Sequence, residues 1–387
     1  MRVKLKDVCT FYIGTGFPKK YQGQLSGTYP FYKVGDIANN VVSGKVYLEQ
    51  CNNYISEETL ELIKGSVIPK NTIVFAKIGE ALKLNRRAIT STDCLIDNNA
   101  MGIAAKSDKL RTLFFYYFMR NIKMELLAES TTVPSVRKSR LEAYEIDIPS
   151  LDEQKIIEGK LTILSKVINL KEKQLLKLDE LVKARFVEMF GDENNSKGWE
   201  IVNIEDVANV QVGVVIKPSQ YYTDQDRGIK AFRSLNIGNG YIKDDDWVYF
   251  SEEGNKKNKK SILSTNDVLV VRSGAPGTAC VVTSEYAGSN AIDVIIAHPN
   301  FQKVDSHYLC TYTNMPHGKS QIIEGTGGAA QQHFNVGKYN KLKLMLPPLE
   351  YQKQYVKFLK EIDKSRFMGE NYVLISVILQ PFHKLIQ

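Results

Sequence analysis

The chain has 387 residues, of which 43% are hydrophobic and 24% are charged. This composition is ordinary for a globular protein and excludes a mainly disordered or collagen-like chain, and the length corresponds to roughly two or three domains. Lysine and arginine outnumber the acidic residues by 51 to 43, and the resulting net charge of +8 is compatible with a polyanionic partner but does not identify one.

The sequence contains no apolar run that approaches the ~20 residues of a membrane-spanning helix. Its first residues, Met1–Asp7, lack the apolar stretch of a secretory signal peptide. We therefore expect the protein in the cytoplasm, where its scattered cysteines would stay reduced; they are Cys9, Cys51, Cys94, Cys280 and Cys310.

Residues 1–149 are predicted to form a β-rich domain. Short runs of β-branched and aromatic residues, such as 66–76 and 100–105, are separated by Gly, Asn, Asp and Ser clusters that mark turns. One helix is predicted over 109–127.

A different pattern begins at Leu151. Between Leu151 and Phe190 there is no proline and a single glycine, and apolar residues recur at alternating steps of four and three, as in a coiled-coil seam. Pro149 precedes this segment and Gly191 follows it, as expected at helix ends. The sequence predicts a helix over 150–191, about 60 Å long, with a seam of Ile157, Leu161, Leu164, Ile168, Leu175, Leu178, Val182 and Met189.

The second half of the chain repeats the first at an offset of about 200 residues. The offset changes by a few residues from one matching pair to the next, as expected for two copies of one fold whose loops differ. We therefore predict a second β-rich domain over 192–347, with a helix at 305–323. The matching pairs include 3–8 with 202–207, 32–39 with 232–239, 73–79 with 268–274, and 148–155 with 346–353.

A second long helix is predicted over 348–387. After Pro347-Pro348 the seam spacing returns at Tyr355, Leu359 and Ile362, and the helix is expected to be interrupted at Gly369 and to stop near Pro381. We expect the two seams to bury against one another. The alternative is that each helix packs only on its own domain.

The sequence contains no recognisable reaction centre. Neither a complete phosphate-binding glycine loop nor a dinucleotide-binding glycine pattern is present. The five histidines form no closely spaced pair, so we expect no metal site. Glu153 and Lys155 form a bare E-x-K motif on the first turn of the central helix, where a carboxylate is favoured by the helix dipole.

The predicted loops of both domains carry basic and amide side chains. Lysine and arginine neutralise phosphates, and arginine and glutamine also read base edges in the major groove. Cations recur at the equivalent positions 33 and 233, and again at 77 and 272. The candidate DNA-binding residues are Lys19, Lys20, Lys33, Lys77, Arg86, Arg87, Lys217, Arg227, Arg233, Lys256, Lys257, Lys259, Lys260, Arg272, Gln331 and Gln332.

These features together resemble the specificity (S) subunit of type I restriction–modification systems. The resemblance covers nearly the whole chain and rests on two linkers, Pro149–Gln154 and Pro347–Gln352, and on the segment Leu178–Asp192 (LDELVKARFVEMFGD). It also rests on the openings of the two repeats at Leu5–Val8 and Trp199–Val207.

The resemblance implies an α+β fold with two target-recognition domains and two conserved helices in an antiparallel coiled coil. It implies a non-catalytic subunit that binds a split target in double-stranded DNA, with two methyltransferase subunits and motor–endonuclease subunits as partners. Those partners are expected to hold S-adenosylmethionine, ATP and Mg, with no cofactor in this chain.

Two features depart from the family pattern. Tyr351 stands in the second linker where the first has Glu153, and the C-terminal helix lacks a second F-x-x-M-F-G-D motif. Three alternatives stay open: an autonomous nuclease or methyltransferase, a specificity protein of another restriction class with a fused methyltransferase–nuclease partner, and a protein scaffold that binds no DNA.

Overall fold

The computed structural model describes residues 1–129, 133–326 and 334–378. The chain divides into two compact units. Unit 1 comprises Met1–Lys173 and the segment that begins at Glu370, and unit 2 comprises Gln174–Gly369. In the described residues no helix is both long enough and apolar enough to cross a membrane.

Unit 1 is built around a five-stranded sheet in the order β2-β9-β6-β7-β4. A three-stranded sheet, β5-β3-β8, and the antiparallel pair β1-β10 complete its strands. The strands are β1 (Arg2–Lys4), β2 (Cys9–Ile13), β3 (Tyr29–Tyr32), β4 (Tyr47–Leu48), β5 (Tyr54–Ile55), β6 (Thr72–Ala76), β7 (Arg87–Thr90), β8 (Leu95–Ile96), β9 (Ala100–Ala105) and β10 (Glu145–Asp147).

The helices of unit 1 are short, apart from the long helix that begins at its C-terminal end. They are α1 (Leu5–Val8), α2 (Val34–Val42), α3 (Glu57–Leu62), α4 (Glu80–Lys83), α5 (Thr112–Asn121), α6 (Lys138–Glu142) and the first part of α7 (Leu151–Phe190).

The central strand β6 contributes side chains to the hydrophobic clusters on both faces of the main sheet of unit 1. All five of its residues are buried, because successive side chains of a strand point to opposite faces and both faces of this sheet are covered. Ile73 and Phe75 pack into a cluster with Phe114 of α5. Val74 packs on the other face, into a cluster that contains Tyr32 at the end of β3.

Unit 2 repeats this arrangement. Its main sheet has the order β12-β19-β16-β17, its smaller sheet the order β13-β15-β14-β18, and β11 pairs with β20. The elements are β11 (Glu200–Asn203), β12 (Ala208–Val212), β13 (Tyr222–Thr223), β14 (Ile229–Phe232), β15 (Val248–Phe250), α8 (Glu252–Lys257), β16 (Val268–Val271), β17 (Ala279–Val281), β18 (Asn290–Ala291), β19 (Val294–Pro299), α9 (Ser306–Asn314), α10 (Pro316–Thr326), α11 (Val336–Asn340), β20 (Lys343–Leu346) and α12 (Leu349–Ile378).

Hydrogen-bond register confirms the predicted duplication. In unit 1 Tyr32 pairs in parallel with Ile96, and at the equivalent position of unit 2 Phe232 pairs in parallel with Ala291. The central strand β16 also divides its side chains as β6 does. Val268 and Val270 enter one core cluster, whereas Leu269 and Val271 enter another.

The central helix α7 spans Leu151–Phe190, as the heptad pattern predicts. At its N-terminus Ser150 and Glu153 form a capping box, in which the Ser150 N–H and hydroxyl donate to the Glu153 carboxylate at 2.9 and 2.8 Å. These bonds lower the pKa of Glu153 below its usual value. At the other end Gly191 adopts φ 90°, a left-handed conformation that stops the helix with little strain.

Each end of α7 is anchored in the core of the adjoining unit. Ile157 and Leu161 pack against the core of unit 1. In unit 2, Phe186 and Phe190 are fully buried. The alternative, in which each helix packs only on its own domain, therefore holds for the parts of the helix that lie at these two ends.

Within unit 2, the end of α7 also runs antiparallel to α12. The Tyr355 hydroxyl donates to the carbonyl of Val182 at 3.4 Å, and Arg366 pairs with Asp179. Contacts move toward the N-terminus of α7 as they move toward the C-terminus of α12. The predicted seam is half-buried at Ile157, Leu161, Leu164, Ile168, Leu175, Leu178, Val182, Met189 and Leu359, and buried at Tyr355 and Ile362.

The structure corrects three helix predictions. The helix predicted over 109–127 is shorter, since α5 ends at Asn121 and a 3₁₀ turn follows. The helix predicted over 305–323 is broken between α9 and α10 at Met315, because a residue that precedes proline avoids the helical conformation. Helix α12 runs through Gly369 without the predicted interruption, since one glycine costs only about 1 kcal/mol relative to alanine.

Candidate nucleic-acid interface

The strongest concentration of positive charge in unit 2 lies on the segment Lys256–Lys260. Lys256 and Lys257 occupy the last turn of α8 and pair with Glu252 and Glu253 at 3.7 and 2.8 Å. Lys259 and Lys260 follow in a 3₁₀ turn and are exposed. Because the pairs on α8 are exposed to solvent, they contribute little energy and compete weakly with a phosphate.

A buried network of amides and a hydroxyl fixes this basic segment to the smaller sheet. Ser261 donates through its hydroxyl to the Asn290 side-chain oxygen at 2.7 Å, and the Asn290 amide donates to the Asn255 side-chain oxygen at 2.7 Å. Asn255, Ser261 and Asn290 are all buried. No local sequence pattern indicated this network, although Asn290-Ala291 repeats Asn99-Ala100 of the first half.

A second polar network ties Lys260, at the end of the segment, to the main sheet. The side-chain amide of Gln211 donates to the Lys260 carbonyl and lies 2.7 Å from His298 Nε2. His298 Nδ1 lies 2.6 Å from the buried carboxylate of Asp267. The two networks hold the backbone of the basic segment while its lysine side chains extend into solvent, which suits contact with a polyanion.

Lys217 and Arg227 lie in the loops that precede and follow β13, and both are exposed. The 3₁₀ turn Pro218–Tyr221, which begins directly after Lys217, packs against α8. The Ser251 N–H that precedes α8 donates to the Tyr221 carbonyl at 2.8 Å. The turn that follows Lys217 is therefore joined to α8, whose last turn begins the basic segment, whereas no contact ties Arg227 to that segment among the residues described.

The cations at the repeated positions 33 and 233 occupy the same local structure. Lys33 lies directly before α2, and Arg233 lies directly before a 3₁₀ turn. In both cases the N–H of the cation donates to a side-chain oxygen three residues later: Lys33 to Asp36 at 2.8 Å and Arg233 to Asn236 at 2.9 Å. The Lys33 ammonium donates to Gln22 at 3.1 Å, and Arg233 pairs with Asp246 at 3.2 Å.

Positions 77 and 272 are also equivalent, at the ends of the central strands. The carbonyl of Lys77 accepts from Val136, and that of Arg272 accepts from Phe334. Arg272 is largely buried and paired with Asp293, so its charge is already neutralised locally. Lys77 is half-buried.

Unit 1 presents a smaller basic surface. Lys19 and Lys20 are exposed on a 3₁₀ turn, and the Lys20 ammonium lies 4.6 Å from the centre of the Tyr21 ring. Arg86 is half-buried.

Arg87 has to be removed from the candidate set. It is 2% exposed, and its guanidinium donates to the carbonyls of Asn85 and Ile122 at 2.8 and 2.7 Å. Burial, with Arg120 nearby, lowers the pKa of Arg87 to about 10. This side chain holds the fold and cannot reach a phosphate. Gln331 and Gln332 lie outside the residues that the structure describes.

Comparisons with known proteins bear on the whole chain. The family model for the type I restriction modification DNA specificity domain matches twice, over residues 1–180 and 196–372. The type I restriction enzyme MjaVIII specificity subunit of Methanocaldococcus jannaschii is 21% identical over 360 residues, which cover 88% of this chain and 80% of that protein.

Two solved structures share the fold. The crystal structure of the S subunit of a type I restriction–modification system from M. genitalium matches with a TM-score of 0.56 at 12% identity, and covers 98% of this chain and 93% of that one. A chain from a structural study of assembly and conformational transition in a type I restriction–modification system matches with a TM-score of 0.55 at 16% identity, and covers 98% and 94%.

Proposed function

This chain belongs to the type I restriction modification DNA specificity family, and from this premise we propose that it reads a split DNA target, one half with each unit. In the same proposal it directs adenine-N6 methyltransferase and restriction subunits to that target.

The observation that carries the proposal is the pairing of one scaffold with two different loop surfaces. Both units hold a central sheet, antiparallel except for the β4–β7 pair of unit 1, beside a smaller sheet with a parallel pair. The loops on these sheets differ: unit 2 carries the basic segment Lys256–Lys260, and unit 1 carries Lys19 and Lys20 on a short turn. Two readers of the same shape with different side chains suit two different short sequences.

The chemistry of binding follows from these side chains. Exposed lysines supply affinity by releasing counterions from phosphates, so binding weakens as salt rises. Loop side chains supply the choice of bases, at about 1–3 kcal/mol for each good bidentate pair.

The proposed partners need a docking surface, and α7 offers one in unit 1. Ile156, Ile163 and Leu170 are exposed. They recur at the heptad interval and are offset by one residue or more from the half-buried seam, so they form a second apolar stripe on the same helix. We assign this stripe to a methyltransferase subunit. Those subunits would hold S-adenosylmethionine, and the restriction subunits ATP and Mg.

Sequencing of N6-methyladenine in a strain with the gene and in its deletion strain tests this function. We expect a two-part motif with a nonspecific gap, methylated on both strands, that disappears in the deletion strain. A continuous motif, or one that persists without the gene, contradicts the proposal. Methyl transfer to DNA by the purified chain alone, assayed with labelled S-adenosylmethionine, contradicts the assignment of catalysis to partners.

A further inference from the structure

One loop of unit 2 exposes apolar side chains beside the basic segment. In the loop 213–218, which follows β12, Val215 is 51% exposed and Ile216 is 79% exposed. Single exposed apolar residues are common on protein surfaces. Two adjacent β-branched residues at an exposed loop tip are less common, and their exposure is not explained by packing, because neither belongs to a core cluster among the described residues of unit 2.

The base of this loop is pinned to the sheets. Gly213 and Val214 donate backbone hydrogen bonds to Val294 and Ala291 at 2.9 and 2.8 Å, and the Asp293 N–H donates to the Val214 carbonyl at 3.2 Å. A Cβ atom at Gly213 would lie 2.4 Å from the Ala291 carbonyl oxygen, so only glycine fits this close approach. Val215 and Ile216 therefore project from a fixed base.

The far side of the loop is held in an unfavourable backbone conformation. Lys217 adopts φ 44° and ψ 55°, in the left-handed region that non-glycine residues avoid. Pro218 follows it and starts the turn that packs on α8. Backbone strain of this kind, about 1 kcal/mol or more, is retained where the local conformation is needed.

Along the chain, the apolar tip lies between two attachments, one to the basic segment and one to the residue that precedes α8. On one side Gln211 donates to the Lys260 carbonyl, and on the other the Tyr221 carbonyl accepts from the N–H of Ser251, just before α8. An exposed Ile–Val pair on a loop that is attached to a lysine-rich segment matches the chemistry of a DNA duplex, where phosphates flank the apolar faces of stacked bases.

Unit 1 builds the same loop without the apolar tip. Gly14 makes the equivalent close approach, since a Cβ there would lie 1.7 Å from the Asp97 carbonyl oxygen. Gly16 stands where unit 2 has Val215. Phe17, in the position of Ile216, folds back and stacks on Phe31 with ring centres 3.8 Å apart.

We propose that Val215 and Ile216 form an apolar wedge that presses between two base pairs of the half-site read by unit 2, unstacks that step and bends the DNA. This inference rests on the proposed function. Apolar wedges act in this way in proteins that kink DNA. Pyrimidine–purine steps unstack most easily, so unit 2 would prefer such a step there without a hydrogen bond to its bases. The half-site read by unit 1 stays undistorted.

The test uses the chain purified with its methyltransferase subunits. The probe is a duplex that carries the motif found by methylation sequencing, with 2-aminopurine at adenines of each half-site other than the methylated one. The variants are Ile216→Ala and Ile216→Met. The matched control is Ile201→Ala, since Ile201 is 53% exposed in the same unit but lies on β11.

We expect the wild-type complex to raise 2-aminopurine fluorescence at one step of the unit-2 half-site and at none in the other half-site. Ile216→Ala should abolish that rise and weaken specific binding about tenfold, as expected for loss of a partly buried side chain. Ile216→Met should keep both, and Ile201→Ala should match the wild type.

The possible failures are distinct. If the wild type binds the motif duplex selectively but shows no Ile216-dependent fluorescence, the wedge is overturned and the proposed function stands. If Ile216→Ala instead releases the methyltransferase subunits, the tip contacts protein and the wedge is likewise overturned. If the wild type shows no preference for the motif duplex, the proposed function fails and the wedge with it.

Discussion

Replacing Phe186 by alanine tests how the central helix is anchored in unit 2. The Phe186 ring is fully buried, with its centre 5.5 Å from that of Tyr355 and 5.8 Å from that of Tyr308. Truncation of a buried phenylalanine costs about 3–5 kcal/mol. With a urea dependence of about 2 kcal/mol per molar for a unit of this size, the unfolding midpoint of unit 2 should fall by about 2 M.

The assay is urea unfolding followed by tryptophan fluorescence, which reports on this unit alone. Both tryptophans of the chain, Trp199 and Trp247, lie in unit 2, and the Trp199 indole donates to the carbonyl of Phe190 at 3.0 Å. The control is Val187→Ala on the same helix, since Val187 is 42% exposed; its effect should stay within about 0.5 kcal/mol. Equal midpoints for the two variants would refute the anchoring role of Phe186.

Three other changes separate roles in binding from roles in folding. Replacing Lys259 and Lys260 by glutamine should reduce the slope of log affinity against log salt by about 0.9 for each lost phosphate contact. The exposed control Lys341→Gln should leave this slope unchanged. Binding titrations at several salt concentrations measure the slope. Arg87→Met should destabilise unit 1 by about 3 kcal/mol, because buried carbonyls lose their donors. Unfolding followed by circular dichroism measures this loss, and the salt dependence of DNA binding should stay unaltered. Glu153→Gln should lower the stability at pH 7 but change it little at pH 3. A carboxylate whose folded pKa lies below its usual value of 4.5 stabilises the fold above that value and loses this effect as pH falls through the folded pKa. Unfolding midpoints of the variant and the wild type at the two pH values check this prediction.

The central helix could be predicted from sequence because its signals are local. The segment 151–190 lacks proline, carries a heptad pattern and is flanked by residues that favour helix ends. None of these signals depends on a tertiary contact. The tandem duplication was predictable for a similar reason, since segments such as 32–39 and 232–239 keep the residues that pair and cap in both copies.

What the sequence did not reveal depends on tertiary packing. The heptad seam skips Arg185 and does not include Phe186 or Phe190. The structure buries both phenylalanines, because this end of α7 enters the core of unit 2, where their rings contact Tyr308 of α9 and Tyr355 of α12. Arginine is usually a surface residue, but Arg87 starts a buried strand, and its guanidinium donates to the carbonyl of Ile122, which is distant in sequence. Likewise, the Asn255–Asn290 network that supports the basic segment joins residues that no local pattern connects.

The central claim is that each unit reads its own half of the target. The most direct measurement replaces residues 192–347 with the matching segment of another family member and sequences N6-methyladenine in the resulting strain. One half of the motif should change while the other half stays as it was. A change in both halves of the methylated motif, or in neither half, would contradict the claim.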